Sequence, residues 1–162
     1  MERKPWWTGA RGEWYVVAQG FLFLLVGFGP RALPGVPQWG EPWSRLSLAL
    51  GLALGALGGL LALAGLFHLG TNLTALPHPK DDATLVEGGA YAVVRHPIYS
   101  GLILAAFGWA LIVSSWLTLL YAVILLIFFD VKSRREERAL SQKFAAYADY
   151  QRRVRKLIPF IY

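Results

Sequence analysis

Three long stretches without a charged side chain, residues 14–30, 46–67 and 98–129, interrupt an otherwise mixed sequence. The first two are each near the length that crosses a hydrocarbon core of about 30 Å. The third would make about 48 Å of helix at 1.5 Å per residue, too long for one crossing. Val113, Ser114, Ser115 and Trp116 break its apolar run near the middle, where hydroxyls can take up freed backbone groups and a Trp can settle at an interface. The pattern therefore predicts an all-α integral membrane protein with four transmembrane helices, over residues 14–30, 46–67, 98–113 and 116–130. The last two form a tight helical hairpin. An inner loop, 68–97, and a C-terminal tail, 131–162, complete a single membrane domain.

In that tail Leu140, Phe144, Tyr147, Gln151 and Val154 alternate spacings of four and three, which is one stripe of an amphipathic helix. A helix from Lys132 to about Gln151, continuing the fourth span, is expected. Its stripe either folds back over the inner loop as a lid or lies on the membrane surface, with Arg152, Arg153, Arg155 and Lys156 toward lipid phosphates. Within the second span Gly51, Gly55 and Gly59 recur every fourth residue, a spacing that predicts close approach of a neighbouring helix.

Charge sets the orientation. An even number of spans puts both termini on one side, where Arg3, Lys4, Arg11 and the basic tail join Lys80 and Arg95, against Arg31 and Arg45 opposite. Excess Lys and Arg mark the cytoplasmic side, so both termini and the inner loop are expected there. Trp39, Trp43 and Trp116 would mark the far interface, and Trp6, Trp7 and Trp14 the near one.

Composition narrows the function classes. A length of 162 residues with 56% apolar and 16% charged side chains fits one membrane domain. With no cysteine, a disulfide, a thiolate metal site and a thiol nucleophile are excluded. The net charge is +6, and residues 130–162 hold nine Lys or Arg against four Asp or Glu. Anionic lipid headgroups account for that tail, and no nucleic acid is expected. His68 and His78 lack metal-ligand spacing, so no metal is expected. P-loop, GxSxG and dinucleotide signatures are missing. A transporter or channel is disfavoured because the spans contain no charged residue.

Two segments carry chemistry. Arg95, His96 and Tyr99 fall where the third span begins, with Pro97 suited to its first turn. Backbone N–H groups at such a helix start, beside Gly88 and Gly89, suit a carboxylate or another anion. The plainer alternative is that Pro97 starts a helix while Arg95 and His96 snorkel to headgroups. Glu136 and Glu137 follow an uncharged span, a place unfavourable for carboxylates near anionic lipid unless basic neighbours or a cationic ligand offset them. A sulfonium or an adenosine ribose would serve; pairing with Lys132, Arg134 or Lys143 on the helix surface is the plainer alternative.

Leu85, Val86, Gly89 and Tyr91, then RHPIYSG at 95–101, a span hairpin, REER at 135–138 and LIP at 157–159 together resemble the isoprenylcysteine carboxyl methyltransferase family and related phospholipid methyltransferases. The resemblance covers residues 67–159. It implies an S-adenosylmethionine-dependent enzyme, releasing S-adenosylhomocysteine. A pocket at the inner, cytoplasmic interface of a chain with little soluble mass is expected to take its acceptor from the bilayer, a membrane lipid or lipophilic small molecule. The resemblance also implies cofactor contact at Gly89, Tyr91, His96, Pro97, Tyr99, Gly101, Glu136 and Glu137. Should the acceptor have to lose a proton, His96 and Glu137 are the available candidates, but they are expected to hold the cofactor instead. Arg95 is read as structural or headgroup-facing.

There are two departures from the family pattern. Ala90 stands where many relatives carry Pro, and the tail from Phe144 to Pro159 is about one residue short, which bears on the lid register. The size of the chain points away from a large protein acceptor. The alternative is a non-catalytic membrane subunit or scaffold of a larger complex with the same fold, and cofactor binding separates the two. At span ends, His96 and Glu137 are expected to tolerate truncation with little loss of stability.

Overall fold

The computed structural model describes residues 8, 9, 11–36, 39–159, 161 and 162; Arg3, Lys4, Trp6 and Trp7 lie outside them. Among the described residues the chain is helical, with no strand. The elements are α1 (Glu13–Phe28), α2 (Trp43–Leu69) with a 3-10 turn after it (Gly70–Asn72), a short α3 (Ala90–Val93), α4 (Pro97–Ile112), α5 (Trp116–Lys143) and α6 (Tyr147–Arg153). Two segments, Trp43–Asn72 and Trp116–Lys143, are long and apolar enough to cross a membrane; α1 and α4 are shorter apolar helices of 16 residues each.

The closest helix pairing is α2 against α4, and glycine permits it. A Cβ on Gly58 would lie 2.5 Å from the Gly101 carbonyl oxygen, and one on Gly101 would lie 2.4 Å from that of Gly58. The buried glycines of α2 are Gly51, Gly58 and Gly65, spaced by seven. The expected close approach holds at Gly51 and at Gly55, whose backbone N a Cβ on Gly108 would meet at 2.6 Å, but the period-four face is corrected at Gly59: a Cβ on Gly55 or Gly59 meets open space. At about 3.6 residues per turn a spacing of seven returns to nearly the same face, whereas a spacing of four drifts by about 40° each time.

Between α4 and α5 the chain turns through Val113, Ser114 and Ser115. Ser114 has a positive φ of 48°. Ser115 caps α5 by accepting from the Thr118 N–H, and its hydroxyl donates to the Arg31 carbonyl at 2.6 Å, which satisfies backbone groups freed at the turn. From there α5 runs without a break from its apolar half into the charged segment after Asp130. The expected continuous helix to Gln151 is corrected at Phe144, which is extended (φ −121°, ψ 113°). The chain turns over residues 144–146, and α6 then packs Tyr147, Tyr150 and Val154 against Tyr91, Leu85, Val86 and Leu140.

After α6 the chain runs beside the start of α4. Arg95 N–H donates to the Arg155 carbonyl (2.8 Å), His96 N–H to that of Lys156 (3.2 Å), and the Ser100 hydroxyl to that of Leu157 (2.6 Å). Leu157 thereby joins the core that Leu22 of α1, Ile103 and Ala106 of α4, and Leu125 and Phe129 of α5 build. Lys156 is buried and pairs with Asp130 at 2.5 Å, so it is not among the side chains facing lipid phosphates. Arg152 pairs with Asp149, and Arg153 with Glu87 at 2.6 Å.

Candidate functional site: a cavity beneath the inner loop

The loop after α2, the start of α4, the polar half of α5 and α6 surround a cavity of about 500 Å³, within the range that encloses one drug-sized ligand. Asn72, Thr74, Pro79 and Val86 form its loop wall; Tyr91, His96 and Tyr99 line the α3–α4 side; Lys132, Glu136 and Leu140 come from α5; Tyr147 and Tyr150 close it from α6. Gln19 of α1 and Leu66 and Leu69 of α2 line its remaining side. The loop holds its shape through its own hydrogen bonds. Thr84 N–H donates to Asn72 Oδ1 (3.0 Å), Asn72 Nδ2 donates to the Thr84 hydroxyl (3.3 Å), and Lys80 Nζ donates to the Thr71 carbonyl (2.6 Å).

Glu137 organises the buried side of the site. Arg95 Nε donates to its Oε1 at 2.8 Å, His96 Nε2 donates to the same oxygen at 3.1 Å, and Gln151 Nε2 donates to Oε2 at 3.2 Å. Arg95 Nη1 also donates to the carbonyls of Gln151 (3.2 Å) and Val154, so one guanidinium ties α4, α5 and the end of α6 together. Burial raises the Glu137 carboxyl, but the hydrogen bonds from His96 and Arg95 and the adjacent guanidinium charge outweigh it and hold it down to about 2. The Tyr150 hydroxyl donates to the Tyr91 carbonyl at 2.6 Å, fixing α6 on α3.

Glu136 faces the cavity. Its Oε2 accepts from the Tyr99 hydroxyl at 2.7 Å. The Tyr99 ring is stacked between His96 (centroids 5.3 Å apart, planes 4°) and Phe129 (4.6 Å, 17°), which fixes the hydroxyl's direction. His96 Nδ1 is 4.0 Å from the same carboxylate.

Of the residues expected at a cofactor site, Tyr91, His96, Tyr99 and Glu136 lie on the cavity wall together. Gly89 lies against the His68 ring with φ +61°, a backbone conformation that glycine adopts at no steric cost. Pro97 packs on Gly65, Gly101 on Gly58 and Ala62, and Glu137 behind Arg95 and His96. The pairing of the glutamates with Lys132, Arg134 or Lys143 on the helix surface is replaced for Glu137 by the Arg95 contact. Arg95 is held by Glu137 and the tail carbonyls rather than turned to headgroups, and it also lines the cavity. The premise behind the expected tolerance of truncation at Glu137 and His96 is corrected, because both side chains are buried and Glu137 is the carboxylate partner of Arg95.

Sequence reasoning missed Gln19, Lys132 and Tyr150 as wall residues. Gln19 is the single amide in residues 14–30, and that was the available signal. No group of three or more His, Cys, Asp or Glu among the described residues is placed to hold a metal ion.

An antiparallel helical bundle whose polar helix ends close over such a cavity matches a known membrane architecture. The fold is similar to that of a eukaryotic intramembrane Ras methyltransferase, isoprenylcysteine carboxyl methyltransferase, with TM-score 0.61 and 24% identity over 99% of this chain and 55% of that one. The chain belongs to the phospholipid methyltransferase family, whose model matches residues 46–147. It is also similar to the nickel-cobalt-cadmium resistance protein NccN of Alcaligenes xylosoxydans xylosoxydans (28% identical, 91% of this chain, 63% of that protein). A further relative is the protein-S-isoprenylcysteine O-methyltransferase of Mus musculus (32% identical, 70% of this chain, 41% of that protein). The chain thus spans 41% to 63% of the length of these curated relatives.

Proposed function

We propose that this chain is an S-adenosylmethionine-dependent integral membrane methyltransferase acting on a lipid or lipophilic small molecule. In this reading α1, α2, α4 and the apolar half of α5 cross the membrane, both termini are cytoplasmic, and the cavity opens at the cytoplasmic face. Family membership supports the reaction class. The observation that carries the site is the cavity itself, with Glu136, Tyr99, His96 and Tyr91 on one wall.

The donor set fits the cofactor's chemistry. Glu136 offers a carboxylate with one oxygen free of hydrogen bonds among the described residues, suited to a cationic sulfonium or a ribose hydroxyl. Tyr91 and Tyr147 add aromatic surface, and Leu85 and Leu140 add apolar surface suited to a purine. When bound, S-adenosylmethionine supplies an activated methyl group. The residues of this chain bind, align and exclude water, which is most of what an in-line methyl transfer asks of a protein.

Glu137 positions Arg95 and His96 from behind the wall. His96 is engaged by Glu137, so its role is to orient Tyr99 rather than to carry a proton. A carboxylate acceptor needs no base, whereas an amine or thiol must release a proton during attack.

Titration calorimetry of S-adenosylhomocysteine into the purified chain tests this reading. Binding is expected, and Glu136→Gln should weaken it by about tenfold or more, the scale of one hydrogen bond to a charged group. No binding by the unaltered chain at millimolar concentration would favour a non-catalytic membrane subunit.

A further inference from the structure

A second hollow, of about 400 Å³, opens on a different face of the α4–α5 pair. Tyr99 and Leu102 of α4 line the inner-loop cavity, whereas Ser100, Ile103 and Phe107 line this groove, and the two share no lining residue. Leu126 and Ile127 of α5 form the facing wall, and Leu157 and Ile158 of the tail lie across one end. From Ser100 to Phe107 the groove runs about 10 Å along the helix. Its walls are apolar except at that tail end, where Ser100, Asp130 and Tyr162 stand.

The carboxylate at the end is already neutralised. Asp130 Oδ1 accepts from Lys156 Nζ at 2.5 Å and from the Tyr162 hydroxyl at 2.8 Å, and Oδ2 accepts from Arg134 Nη2 at 2.6 Å. Arg134 interacts with Tyr162 as well. Its guanidinium has five N–H donors and its side chain is 59% exposed, so it has room for a further acceptor. Ile127, Asp130, Arg134 and Arg138 follow at spacings of three, four and four, which is one stripe of a helix. The stripe is apolar inside the groove and basic one and two turns beyond it. Arg138 is exposed, and no hydrogen bond or ion pair engages its side chain among the described residues. The carboxylates before it on α5 are engaged elsewhere: Glu136 by Tyr99 and beside Lys132, Glu137 by Arg95, His96 and Gln151.

We propose that this groove binds one phospholipid with an anionic headgroup, and that this lipid is separate from the methyl acceptor. One acyl chain lies against Ile103, Phe107, Leu126 and Ile127, under Leu157 and Ile158. The headgroup meets Arg134 and Arg138. The change from apolar to basic along one face of α5 follows the order of acyl chain and headgroup in a leaflet, and basic side chains beside a span attract anionic lipid. The bound lipid braces the tail. Leu157 over the groove accepts from the Ser100 hydroxyl, and the carbonyls of Arg155 and Lys156 accept from the N–H groups of Arg95 and His96. This assignment rests on the reading in which α4 and α5 cross the membrane; it does not depend on which molecule is methylated.

The test uses native mass spectrometry of the full chain in detergent, with dioleoyl phosphatidylglycerol and dioleoyl phosphatidylcholine as probes. The first phosphatidylglycerol should bind at least about fivefold more tightly than the first phosphatidylcholine, as charge-assisted contacts require. Replacing both arginines, Arg134→Gln with Arg138→Gln, should bring that preference below about twofold. Ile127→Trp, which fills the groove from an exposed position, should weaken the first phosphatidylglycerol by about fivefold or more. Leu60→Trp, on the exposed face of α2, and Arg152→Gln, at an exposed tail arginine, should each change it by less than about twofold. Phosphatidylglycerol with a diazirine in its acyl chain should label residues 100–107 or 126–130. Added phosphatidylglycerol should raise hydrogen-exchange protection at residues 155–158.

Equal affinity for the two lipids would overturn the proposal. So would a preference that survives loss of both arginines, or an equal loss in Arg152→Gln, which would mean diffuse attraction to the whole basic tail. Labelling confined to residues 72–86 or 132–150 would place the lipid in the inner-loop cavity and overturn it too. Unchanged protection at residues 155–158 would remove the brace. Should the double variant fail to fold, Arg138→Gln alone decides, with a fall in the preference of about twofold or more expected. A chain that stays in solution without detergent would fell the membrane reading instead, whatever the lipids do.

Discussion

The α2–α4 interface and the α5–tail junction hold the molecule together by opposite means. At the first, glycine brings two apolar helices to backbone contact, Gly58 against Gly101 and Gly51 against Gly108. No ion pair contributes there among the described residues. At the second, buried Glu137 and Lys156 pair with half-buried Arg95 and Asp130 and the tail is laid along residues 94–100. Tight apolar packing has no proton to lose and little room to deform. A buried ion cluster is directional and fixes the side chains that face the cavity, but it is sensitive to the loss of either partner. The bundle is thus a frame, and the site is assembled on its polar end.

Arg95→Ala should separate the two regions most strongly. It strips Glu137 of its guanidinium partner, leaving the His96 and Gln151 hydrogen bonds, and should cost about 3–5 kcal/mol, read as lost hydrogen-exchange protection over residues 144–159 while α2 and α4 stay protected. Equal loss in both regions would break the distinction. Acid acts on the same latch. Because Glu137 is held down to about 2, its stabilisation is fully present above the ordinary carboxylate range and is lost as pH falls through about 2. Tail protection should therefore persist at pH 4 and fade below about 3.

The frame is probed by its glycines. Gly101→Ala should cost about 1–3 kcal/mol through overpacking against a neighbouring backbone, measured by detergent-monitored thermal unfolding. Gly59→Ala, into open space, should stabilise by about 0.5–1 kcal/mol through backbone entropy. A loss of stability in Gly59→Ala would restore the period-four contact face.

What the sequence made legible follows from which interactions are local. The break at Ser114 and Ser115 was readable because its hydroxyls serve the adjoining helix ends. The tail stripe was readable too, yet the interruption at Phe144 was not, since Tyr147, Tyr150 and Val154 resume the same face after the turn and periodicity cannot see a turn that preserves phase. The α2 glycines were read in part, Gly51 and Gly55 meeting α4 and Gly59 not, because two spacings coexist in one helix. The Asp130–Lys156 pair, 26 residues apart, exists only because the tail folds back, and no spacing rule reports that. His96, Tyr99 and Glu136 were found by motif resemblance. Lys132 and Gln19 come from separate helices, and only the folded chain brings them to one wall.

The most direct test of the central claim is photoaffinity labelling of the membrane-reconstituted chain with an azido-adenosyl analogue of S-adenosylmethionine, followed by peptide mapping. Labelled peptides from residues 72–86, 91–102 or 132–150, with labelling suppressed by excess S-adenosylhomocysteine, are the expected result. Labelling confined to the opposite end of the bundle, around Trp39, Trp43 and Trp116, or insensitive to competitor, would contradict it.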